Sequence, residues 1–508
     1  MGLPQARHPV QVTERPRAVL SYQLYIDGAW TGSDGDAVLT VLNPATEEAI
    51  GTVPEGTVAD IDRAVAAARR AFDEGPWPWL APRERAAILL RFAEELEART
   101  ADLVELNVHE VGSIRSWAEF LQVGLPMQHL RDMAERVLPQ YPFEKPMAPT
   151  YGGGTFGSSL AQGVVRREPY GVAALVSAYN APTMLNLVKL APALAAGCTV
   201  VLKPAPTTPL ETFVLGEVAD AAGLPRGVLN IVTGDIAAGQ ALTSHPGVDV
   251  VSFTGSDAVG RLVYSQAAPS LKKVILELGG KSASIILPDA DLDRAVPSVV
   301  VNMTAQAGQG CSLLTRTLVH ESLFDELVGR VKTALDAVKV GDPADPATTM
   351  GPLISAAQRA KVEGLIQAGR DEGAQIAYGG GRPAGLDRGF FVEPTLFVDV
   401  DNSMTIAQKE FFGPVGVVIP FKDEQEAVRL ANDSEFGLAA GVWAADPVHA
   451  YRIGTRIRAG LIYINGGGAG SSPHTPFGGY KSSGLGVERG EYGLEEFLLA
   501  KSMIWSAR

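Results

Sequence analysis

Cys311 is the residue of this chain best suited to covalent chemistry. It lies in AQAGQGCSLLTR, among glycines, glutamines and a serine rather than in an apolar stripe. Small neighbours leave a sulfur accessible, and an accessible thiolate is a nucleophile, although a lone cysteine is more often a small buried apolar residue. The other cysteine, Cys198 in GCTVVLK, begins an apolar strand and is predicted to be structural.

Two polar side chains follow or end apolar runs. Glu277, in ILELGGKSAS, is costly to bury, and burial would raise its pKa and make it a usable general base near neutral pH. The alternative for Glu277 is a solvated strand end. Asn180 follows a strand in SAYNAPT, where its amide either donates to a developing oxyanion or shapes a turn.

Three residues stand where an open α/β sheet binds nucleotides, beyond the carboxyl ends of its strands. Lys203 ends CTVVLKPA and can hydrogen-bond ribose or phosphate, unless it is an ordinary surface lysine. Gly255 and Ser256 lie where a strand meets a helix start, whose N–H groups favour a pyrophosphate. Two other phosphate-loop patterns fail, because GGKS lacks the required first glycine and the G-x-G-x-x-G from Gly152 precedes no helix.

Alternating strands and helices must position these residues. Helical stretches separate strand-like segments, which is typical of βαβ units in a parallel sheet. The first series is VAALVSA, CTVVLKP, GVLNIVTG, VDVVSFTG and KKVILELGG, and the second is SASIILP, RTLVH, PTLFVDV, PVGVVIPF, LAAGVWA and GLIYING. Upstream, DIDRAVAAARRA and PRERAAILLRFAEELEART predict helices, and helical patterns continue to about Val137. The segment EFLLAKSMIWS predicts a final strand whose edge needs a partner.

Length and composition limit the class of protein. The chain has 508 residues, 46% hydrophobic and 20% charged, which suggests about three globular units. A net charge of −14 argues against nucleic acid and membrane surfaces as partners. Two cysteines and a start without an apolar signal core predict a reducing, cytoplasmic location.

Taken together, the motifs resemble those of a known family. SAYNAP, VLKPAPTTP, SFTGS, LELGGKS, GQGC, EFFGPV and PFGGYKSSG occur in that order, after YIDGAW and NPATEE. They are similar to the signature segments of the aldehyde dehydrogenase superfamily, from about Tyr22 to the end of the chain. The resemblance implies an α/β fold with a Rossmann-like coenzyme domain, an α/β catalytic domain and a small β oligomerisation arm.

The resemblance also implies boundaries and an assembly. We expect a tail over 1–20, a coenzyme-binding domain over 21–138 and 161–276, a catalytic domain over 277–483, and an arm over 139–160 and 484–508. Members of the family are dimers or tetramers. Pairing of the last strand with a neighbour's sheet would cover its exposed edge.

The mechanism implied by the resemblance begins with attack of the Cys311 thiolate on an aldehyde. The amide of Asn180 and the backbone N–H of Cys311 would hold the oxyanion while hydride passes to a nicotinamide. Glu277 would then activate the water that hydrolyses the thioester, and no metal is needed. Lys189 matches a family lysine linked to the proton path of Glu277.

The cofactor assignments come from the same motif positions. Glu410 would bind the nicotinamide ribose, Phe412 would pack near the nicotinamide ring, Lys203 would bind the adenine ribose, and Ser256 would lie by the pyrophosphate. Gly255 and Tyr179 are also assigned to the cofactor site. NAD is expected to be preferred and NADP to be usable, because Pro206 stands where NAD-preferring relatives often carry a glutamate.

The aldehyde tunnel is expected to be wide and apolar. The motif alignment assigns it mostly small and uncharged residues, where relatives that oxidise small aldehydes carry larger ones. These residues are Ala181, Leu185, Val188, Gly310, Ser312, Ser471 and Phe477. Each fitted CH₂ group is worth about 0.8 kcal/mol, so medium-to-large apolar or aromatic aldehydes should be favoured. His474 departs from the usual loop and is expected to be solvated.

Two other classes of protein remain as alternatives. GGGTFGSS resembles the glycine–serine stretch of amidase-type hydrolases, but a hydrolase gives Lys203, Gly255, Glu410 and Phe412 no role. A non-catalytic binding member of the same fold is disfavoured, because Cys311 and its two partners are all present. Acyl transfer to coenzyme A is a further option within the family, although such enzymes typically lack the base at Glu277.

Overall fold

The computed structural model describes residues 20–152, 159–467 and 472–507. Nearly all of the predicted tail, 1–20, and Ser471 of the predicted tunnel lie outside the described residues. Most of the glycine–serine stretch GGGTFGSS lies outside them as well.

Strands make up five sheets in the described chain. In chain order they are β1 (Leu20–Ser21), β2 (Leu24–Ile26), β3 (Ala29–Thr31), β4 (Val38–Leu42), β5 (Ala49–Pro54), β6 (Glu144–Pro146), β7 (Thr150–Gly152), β8 (Ser159–Pro169), β9 (Val172–Val176), β10 (Thr199–Lys203), β11 (Leu229–Ile231), β12 (Val250–Thr254), β13 (Lys273–Glu277), β14 (Ala283–Ile286), β15 (Arg316–His320), β16 (Gln375–Tyr378), β17 (Thr395–Val398), β18 (Val415–Phe421), β19 (Phe436–Gly437), β20 (Ala439–Trp443), β21 (Leu461–Ile464), β22 (Tyr480–Lys481), β23 (Gly484–Leu485) and β24 (Leu498–Ala507). Every strand of the two predicted series is present.

The α-helices lie between these strands, as the alternating pattern predicts. They are α1 (Val58–Asp73), α2 (Pro82–Glu97), α3 (Thr100–Glu110), α4 (Arg115–Trp117), α5 (Leu125–Asp132), α6 (Leu138–Gln140), α7 (Pro182–Ala196), α8 (Leu210–Ala222), α9 (Ile236–Ser244), α10 (Asp257–Ala267), α11 (Leu292–Thr304), α12 (Phe324–Leu335), α13 (Ala356–Asp371), α14 (Thr405–Gln408), α15 (Glu424–Asn432), α16 (Pro447–Gly454) and α17 (Gly490–Glu495). Two π-helical segments, Ala118–Gly124 and Met133–Val137, join α4, α5 and α6 into one helical run.

The first large sheet carries the predicted nucleotide edge. Its order is β23-β13-β12-β9-β10-β11-β2-β3, and the five strands from β13 to β11 are parallel. Residues of β9, β10 and β12 are buried almost throughout, as expected when helices cover both faces of a parallel sheet. Two apolar clusters fill the spaces between this sheet and its helices.

The second large sheet has the order β16-β17-β18-β15-β14-β20-β21 and is parallel except for β16. It too is flanked by two apolar clusters. The two sheets confirm the predicted α/β fold with parallel strands.

The last strand, β24, pairs with another strand of its own chain. β24 pairs with β8 in an antiparallel ladder from Leu498, opposite Pro169, to Ala507, opposite Leu160. β6 and β7 also pair with β8, so β24 stands at one side of this small sheet. Strand β8 continues past residue 160, where the predicted arm segment ends, and the domain boundaries stay a prediction. Among the described residues, no helix has the length and apolar character needed to span a bilayer.

Candidate active site

The carboxyl edge of the first sheet brings the predicted residues together. Register aligns Glu277 with Thr254 of β12, and Lys203 with Val176 of β9. Asn180 lies in the loop between β9 and α7, at the same edge. Residues that are far apart in sequence therefore share one side of the sheet, because parallel strands end at a common edge.

Cys311 sits on a strained loop after α11. Gln306 and Ala307 both have positive φ angles, 52° and 51°, which cost free energy for residues with a Cβ. Gly308 follows with φ of 72°, and a Cβ there would overlap the carbonyl of Gly413. The loop is therefore fixed by its surroundings rather than by local preference.

A second close approach holds this loop from the other side. A Cβ on Gly280 would lie 2.5 Å from the carbonyl oxygen of Cys311. Only glycine lets the GGK segment pass so close to the cysteine backbone. This contact explains why a glycine stands at position 280 in the segment that follows Glu277.

Asn180 is aimed at the cysteine loop. Its side-chain Nδ2 donates to the backbone carbonyl oxygen of Gln309 at 2.9 Å. Its backbone carbonyl oxygen accepts from Gln122 Nε2 at 3.0 Å. An amide nitrogen has two N–H donors, so one is left for another acceptor. The structure thus places Asn180 next to the nucleophile loop, as an oxyanion donor must be.

Glu277 is buried with no hydrogen-bond partner among the described residues. Its side chain is 3% exposed and neither carboxylate oxygen accepts a hydrogen bond. Burial raises the pKa of Glu277 well above its usual range, and Glu488 adds to the rise, while Lys189 and Arg489 oppose it. The carboxyl therefore binds a proton more readily than a solvated glutamate does, and no described residue holds it by a hydrogen bond.

Cys311 is half-buried, and its thiol is protonated at neutral pH. Burial raises the pKa of Cys311 to about 12, and the carboxylates of Glu410 and Glu277 add to the rise. Arg489 acts in the opposite direction. Accessibility alone does not supply a thiolate here, so nucleophilic attack by this sulfur would need a base to take its proton.

Lys189 belongs to a buried polar chain near Glu277. Its Nζ donates to Glu488 Oε1 at 2.6 Å and to Ser252 Oγ at 3.0 Å. Lys189 and Glu488 are both buried. Their charges act in opposite directions on the pKa of Glu277, so the pair lies within electrostatic reach of that carboxyl.

The predicted nucleotide residues lie on the other flank of Cys311. Glu410 Oε1 accepts from the backbone N–H of Gly280 at 3.0 Å, and Phe412 packs edge-on against Tyr179 with ring centroids 5.8 Å apart. Burial raises the pKa of Glu410, while the Gly280 N–H opposes the rise. These residues form a polar and an aromatic contact beside the reactive loop.

Lys203 ends β10 and Ser256 follows β12, so both lie at the same edge of the sheet. Lys203 is 5% exposed, burial lowers its pKa to about 8, and the carboxylate of Asp235 opposes that effect. Its Nζ donates only a long bond, 3.4 Å, to the carbonyl of Pro204. Ser256 is the N-cap of α10, and Gly255 precedes it at the end of β12. The helix N-terminus and a weakly bound lysine fit a pyrophosphate and a ribose.

An apolar cluster marks the predicted aldehyde tunnel. Ala181, just before α7, and Val188, on α7, pack with three residues that the sequence motifs did not assign: Leu121, Leu125 and Met184. Leu185 is half-buried on the same helix, and Gly310 and Ser312 flank Cys311. Phe477 is buried and pairs through its backbone with Glu488.

Comparison with known proteins agrees with this geometry. The model of the aldehyde dehydrogenase family matches residues 30–503. The chain belongs to the aldehyde dehydrogenase family. A putative aldehyde dehydrogenase of Staphylococcus saprophyticus is 41% identical over 481 residues, which cover 94% of this chain and 98% of that one.

Solved aldehyde dehydrogenases share the whole fold. An aldehyde dehydrogenase of Mycobacterium tuberculosis complexed with NAD+ is 46% identical, with a TM-score of 0.90 over 96% of this chain and 98% of that one. Aldehyde dehydrogenase C of Pseudomonas syringae, a variant complexed with NAD+ and octanal, is 40% identical, with a TM-score of 0.89 over 95% and 96%.

Several residues of this aldehyde dehydrogenase site escaped sequence analysis. Gln358 Nε2 donates to the carbonyls of Phe411 and Phe412, at 3.1 and 2.8 Å, and so fixes the loop of Glu410. Gln309 Oε1 accepts from Ile354 N at 3.1 Å and ties the cysteine loop to a distant segment. Lone glutamines carry no motif signal, so only their tertiary contacts reveal them.

We expect Glu277→Gln to stabilise this aldehyde dehydrogenase. The pKa of Glu277 is raised in the folded state, so the folded state binds its proton more tightly and stability falls as pH rises above the unfolded value of 4.5. Glu277→Gln removes the titrating carboxyl and, with it, this loss of stability at higher pH. Its gain in Tm over wild type should therefore grow with pH from about 5 to 8 in thermal melts.

Glu95→Gln on the exposed face of α2 is the matched control and should give no such trend. A Tm difference for Glu277→Gln that is flat or shrinks with pH would contradict the burial of an unpartnered carboxyl.

Proposed function

We propose that the protein oxidises an aldehyde to a carboxylic acid, with NAD as hydride acceptor and Cys311 as covalent nucleophile. The observation that carries the proposal is the buried Glu277 carboxyl, which has no hydrogen-bond partner in the described part of the chain and lies within electrostatic reach of the Cys311 thiol. A buried acid with a raised pKa is suited to general acid–base work near neutral pH. NAD-bound solved relatives support the choice of cofactor.

The first step forms a bond from sulfur to carbon. Glu277, in its ionised form, takes the thiol proton of Cys311, directly or through water, and the thiolate attacks the aldehyde carbon. The carbonyl oxygen becomes an oxyanion, which accepts from the free N–H of Asn180 and from the backbone N–H of Cys311. NAD, when bound, would accept the hydride that leaves this carbon, so that a thioester would remain on Cys311.

The second step, hydrolysis, breaks the sulfur–carbon bond that the first step formed. Glu277 takes a proton from water, which attacks the thioester carbon and releases the carboxylic acid with the thiol restored. Lys189, Glu488 and Ser252 form a buried hydrogen-bonded chain within electrostatic reach of Glu277, and a bridging water would let the proton on Glu277 pass to it. Transfer to coenzyme A would not need this base, so Glu277 favours hydrolysis.

The cofactor is assigned by fit. Glu410, beside Gly280, would bind the nicotinamide ribose, and Phe412 with Tyr179 would form an aromatic wall for the nicotinamide. Lys203 would bind the adenine ribose, and Gly255 with Ser256, at the start of α10, would bind the pyrophosphate. A hydrolase would leave all of these residues without a role.

The cytoplasmic location stays a prediction. It is supported by the two cysteines, both of which are free thiols in the structure. Among residues 20–152, 159–467 and 472–507, no cluster of three or more His, Cys, Asp or Glu side chains is arranged to hold a metal.

We expect Glu277→Gln to give a burst of reduced NAD followed by slow turnover. Acylation is slowed, because only water is left to take the thiol proton, so the burst is weak. Deacylation is slowed more, because it loses the base that activates water, a poorer nucleophile than the thiol. Stopped-flow absorbance would record the burst, and mass spectrometry would find the acyl group on Cys311. Cys311→Ala is the control and should give neither signal. Wild-type turnover without an adduct would contradict the role of Glu277.

We expect NAD to be preferred over NADP, with NADP usable. Pro206 lies in the loop after Lys203 and offers no carboxylate to repel a 2′-phosphate. The variant Pro206→Glu should shift the ratio of kcat/KM toward NAD by about tenfold, because a like charge would face the phosphate. A wild-type enzyme that strongly favours NADP, or an unaltered ratio in Pro206→Glu, would refute this account.

We expect medium-to-large apolar or aromatic aldehydes to be the better substrates. The apolar cluster around Leu125 and Val188 rewards buried hydrocarbon, at about 0.8 kcal/mol for each CH₂ group. A relative complexed with octanal is consistent with this preference. The test compares kcat/KM for acetaldehyde, hexanal, benzaldehyde, a terpenoid aldehyde and succinic semialdehyde. A higher kcat/KM for acetaldehyde or for succinic semialdehyde than for the other three would contradict the expected preference for larger apolar aldehydes.

We expect a homodimer or homotetramer that depends on β24. That strand stands at the side of its sheet with one edge unpaired in the described chain, and Met503, Ile504 and Trp505 are exposed on it. Light scattering should give a mass two or four times that of the chain, and Ile504→Lys should lower it. Tyr451→Lys, at an exposed site on α16, should not. A monomeric wild-type protein would exclude the assembly.

A further inference from the structure

His129 is a buried side chain that the proposed reaction does not use. It lies on α5, is 6% exposed, and neither ring nitrogen has a hydrogen-bond partner among the described residues. Leaving a buried polar group without a partner costs about 1–3 kcal/mol. Asp132, one turn further along, cannot compensate, because Arg136 binds both of its carboxylate oxygens at 2.7 Å.

The helix places His129 along the wall of the predicted tunnel. Leu125, four residues earlier, lies on the same face of α5 and packs with Met184 and Val188 of α7. Four-residue spacing therefore puts the imidazole beside the apolar cluster that would hold the aldehyde. A pair of unsatisfied ring nitrogens in an apolar wall points to a polar ligand atom.

Arg489 brings a positive charge to the same part of the predicted tunnel. Its guanidinium carbon lies 4.5 Å from the centre of the Phe477 ring, so a cation already covers that aromatic face. The backbone of Arg489 has φ of 76°, a strained value for a residue with a Cβ. Phe477 and Glu488 exchange backbone hydrogen bonds of 3.0 and 2.7 Å, which hold Arg489 next to the tunnel.

The imidazole stays neutral in this setting. Burial lowers the pKa of His129 to about 3, and the charge of Arg489 adds to the effect, while Asp132 opposes it. A neutral imidazole has one N–H donor and one acceptor nitrogen. A hydroxyl group, which both donates and accepts, matches it.

We propose that His129 binds a hydroxyl group on an otherwise apolar aldehyde, and that Arg489 excludes aldehydes that carry an ammonium group. Aromatic faces attract quaternary ammonium ions, but the Phe477 face is occupied by the guanidinium, whose charge repels a second cation. The inference rests on the proposed aldehyde oxidation and narrows its substrate to neutral hydroxylated aldehydes.

The test uses benzaldehydes that differ in one substituent. Wild-type kcat/KM would be measured with NAD for benzaldehydes bearing hydroxyl, methyl or trimethylammonium at the meta or para position. We expect a hydroxyl to exceed the methyl group by about tenfold or more at one ring position, because a site that hydrogen-bonds a hydroxyl discriminates against its apolar analogue. The trimethylammonium compounds should be the poorest substrates.

Two variants test the roles of His129 and Arg489 separately. His129→Leu should bring the hydroxyl-to-methyl ratio close to one, and its Tm should match or exceed that of wild type, because an unsatisfied polar group is replaced by an apolar one. Arg489→Met should raise kcat/KM for the trimethylammonium aldehyde relative to the methyl aldehyde by about tenfold, since a facing positive charge is removed. His449→Leu, whose histidine pairs with Glu424 on the surface, is the control and should keep both ratios.

Each outcome decides the question. An unaltered hydroxyl-to-methyl ratio in His129→Leu would show that the imidazole serves only the fold or an internal water, and would overturn the proposal. Equal use of ammonium and methyl aldehydes by wild type would overturn the role of Arg489. Oxidation of none of these aldehydes, nor of hexanal, would instead overturn the proposed function itself.

Discussion

Burial of the Glu277 carboxyl next to Cys311 is the constraint around which the site is built. Neither oxygen has a hydrogen-bond partner among the described residues, and the thiol beside it has a pKa raised by burial and by two carboxylates. Such an arrangement costs stability, since buried polar groups are normally satisfied. The large apolar clusters on both faces of the first sheet offset that cost and hold the edge in place.

The site also depends on backbone that is held against local preference. Gln306, Ala307 and Phe412 adopt positive φ angles on the two loops that flank the reactive residues. Gln358 of α13 binds the carbonyl of Phe412, and Gln122 binds the backbone carbonyl of Asn180 on a third loop of the site. Strained conformations persist only where the surroundings fix them, and they gather where a geometry must be exact to a fraction of an ångström.

The candidate residues are spread along one edge of the first sheet. In the order of its strands, Glu277 ends β13, Ser256 follows β12, Asn180 follows β9 and Lys203 ends β10. Val188 and its apolar cluster lie on α7, which begins two residues after Asn180. The nucleotide and the aldehyde that we propose would therefore meet at this edge.

The sequence by itself determined the elements and the reactive residues. Period and turn signals located every strand of the two parallel series, because each strand is a short apolar run bounded by glycine, proline or a helix start. Cys311, Glu277 and Asn180 could be selected because their side-chain chemistry and motif context are local properties. The exposed edge of the last strand could be anticipated for the same reason.

Only the tertiary structure decided how these residues behave. Burial raises the pKa of the Cys311 thiol, and Glu410 and Glu277, which are 99 and 34 residues away in sequence, add to the rise. His129, Arg489 and Gln358 became visible only through burial, a ring contact and carbonyl contacts that no local pattern encodes. Burial and long-range electrostatics depend on which distant segments are packed together, and that information exists only once the chain is folded.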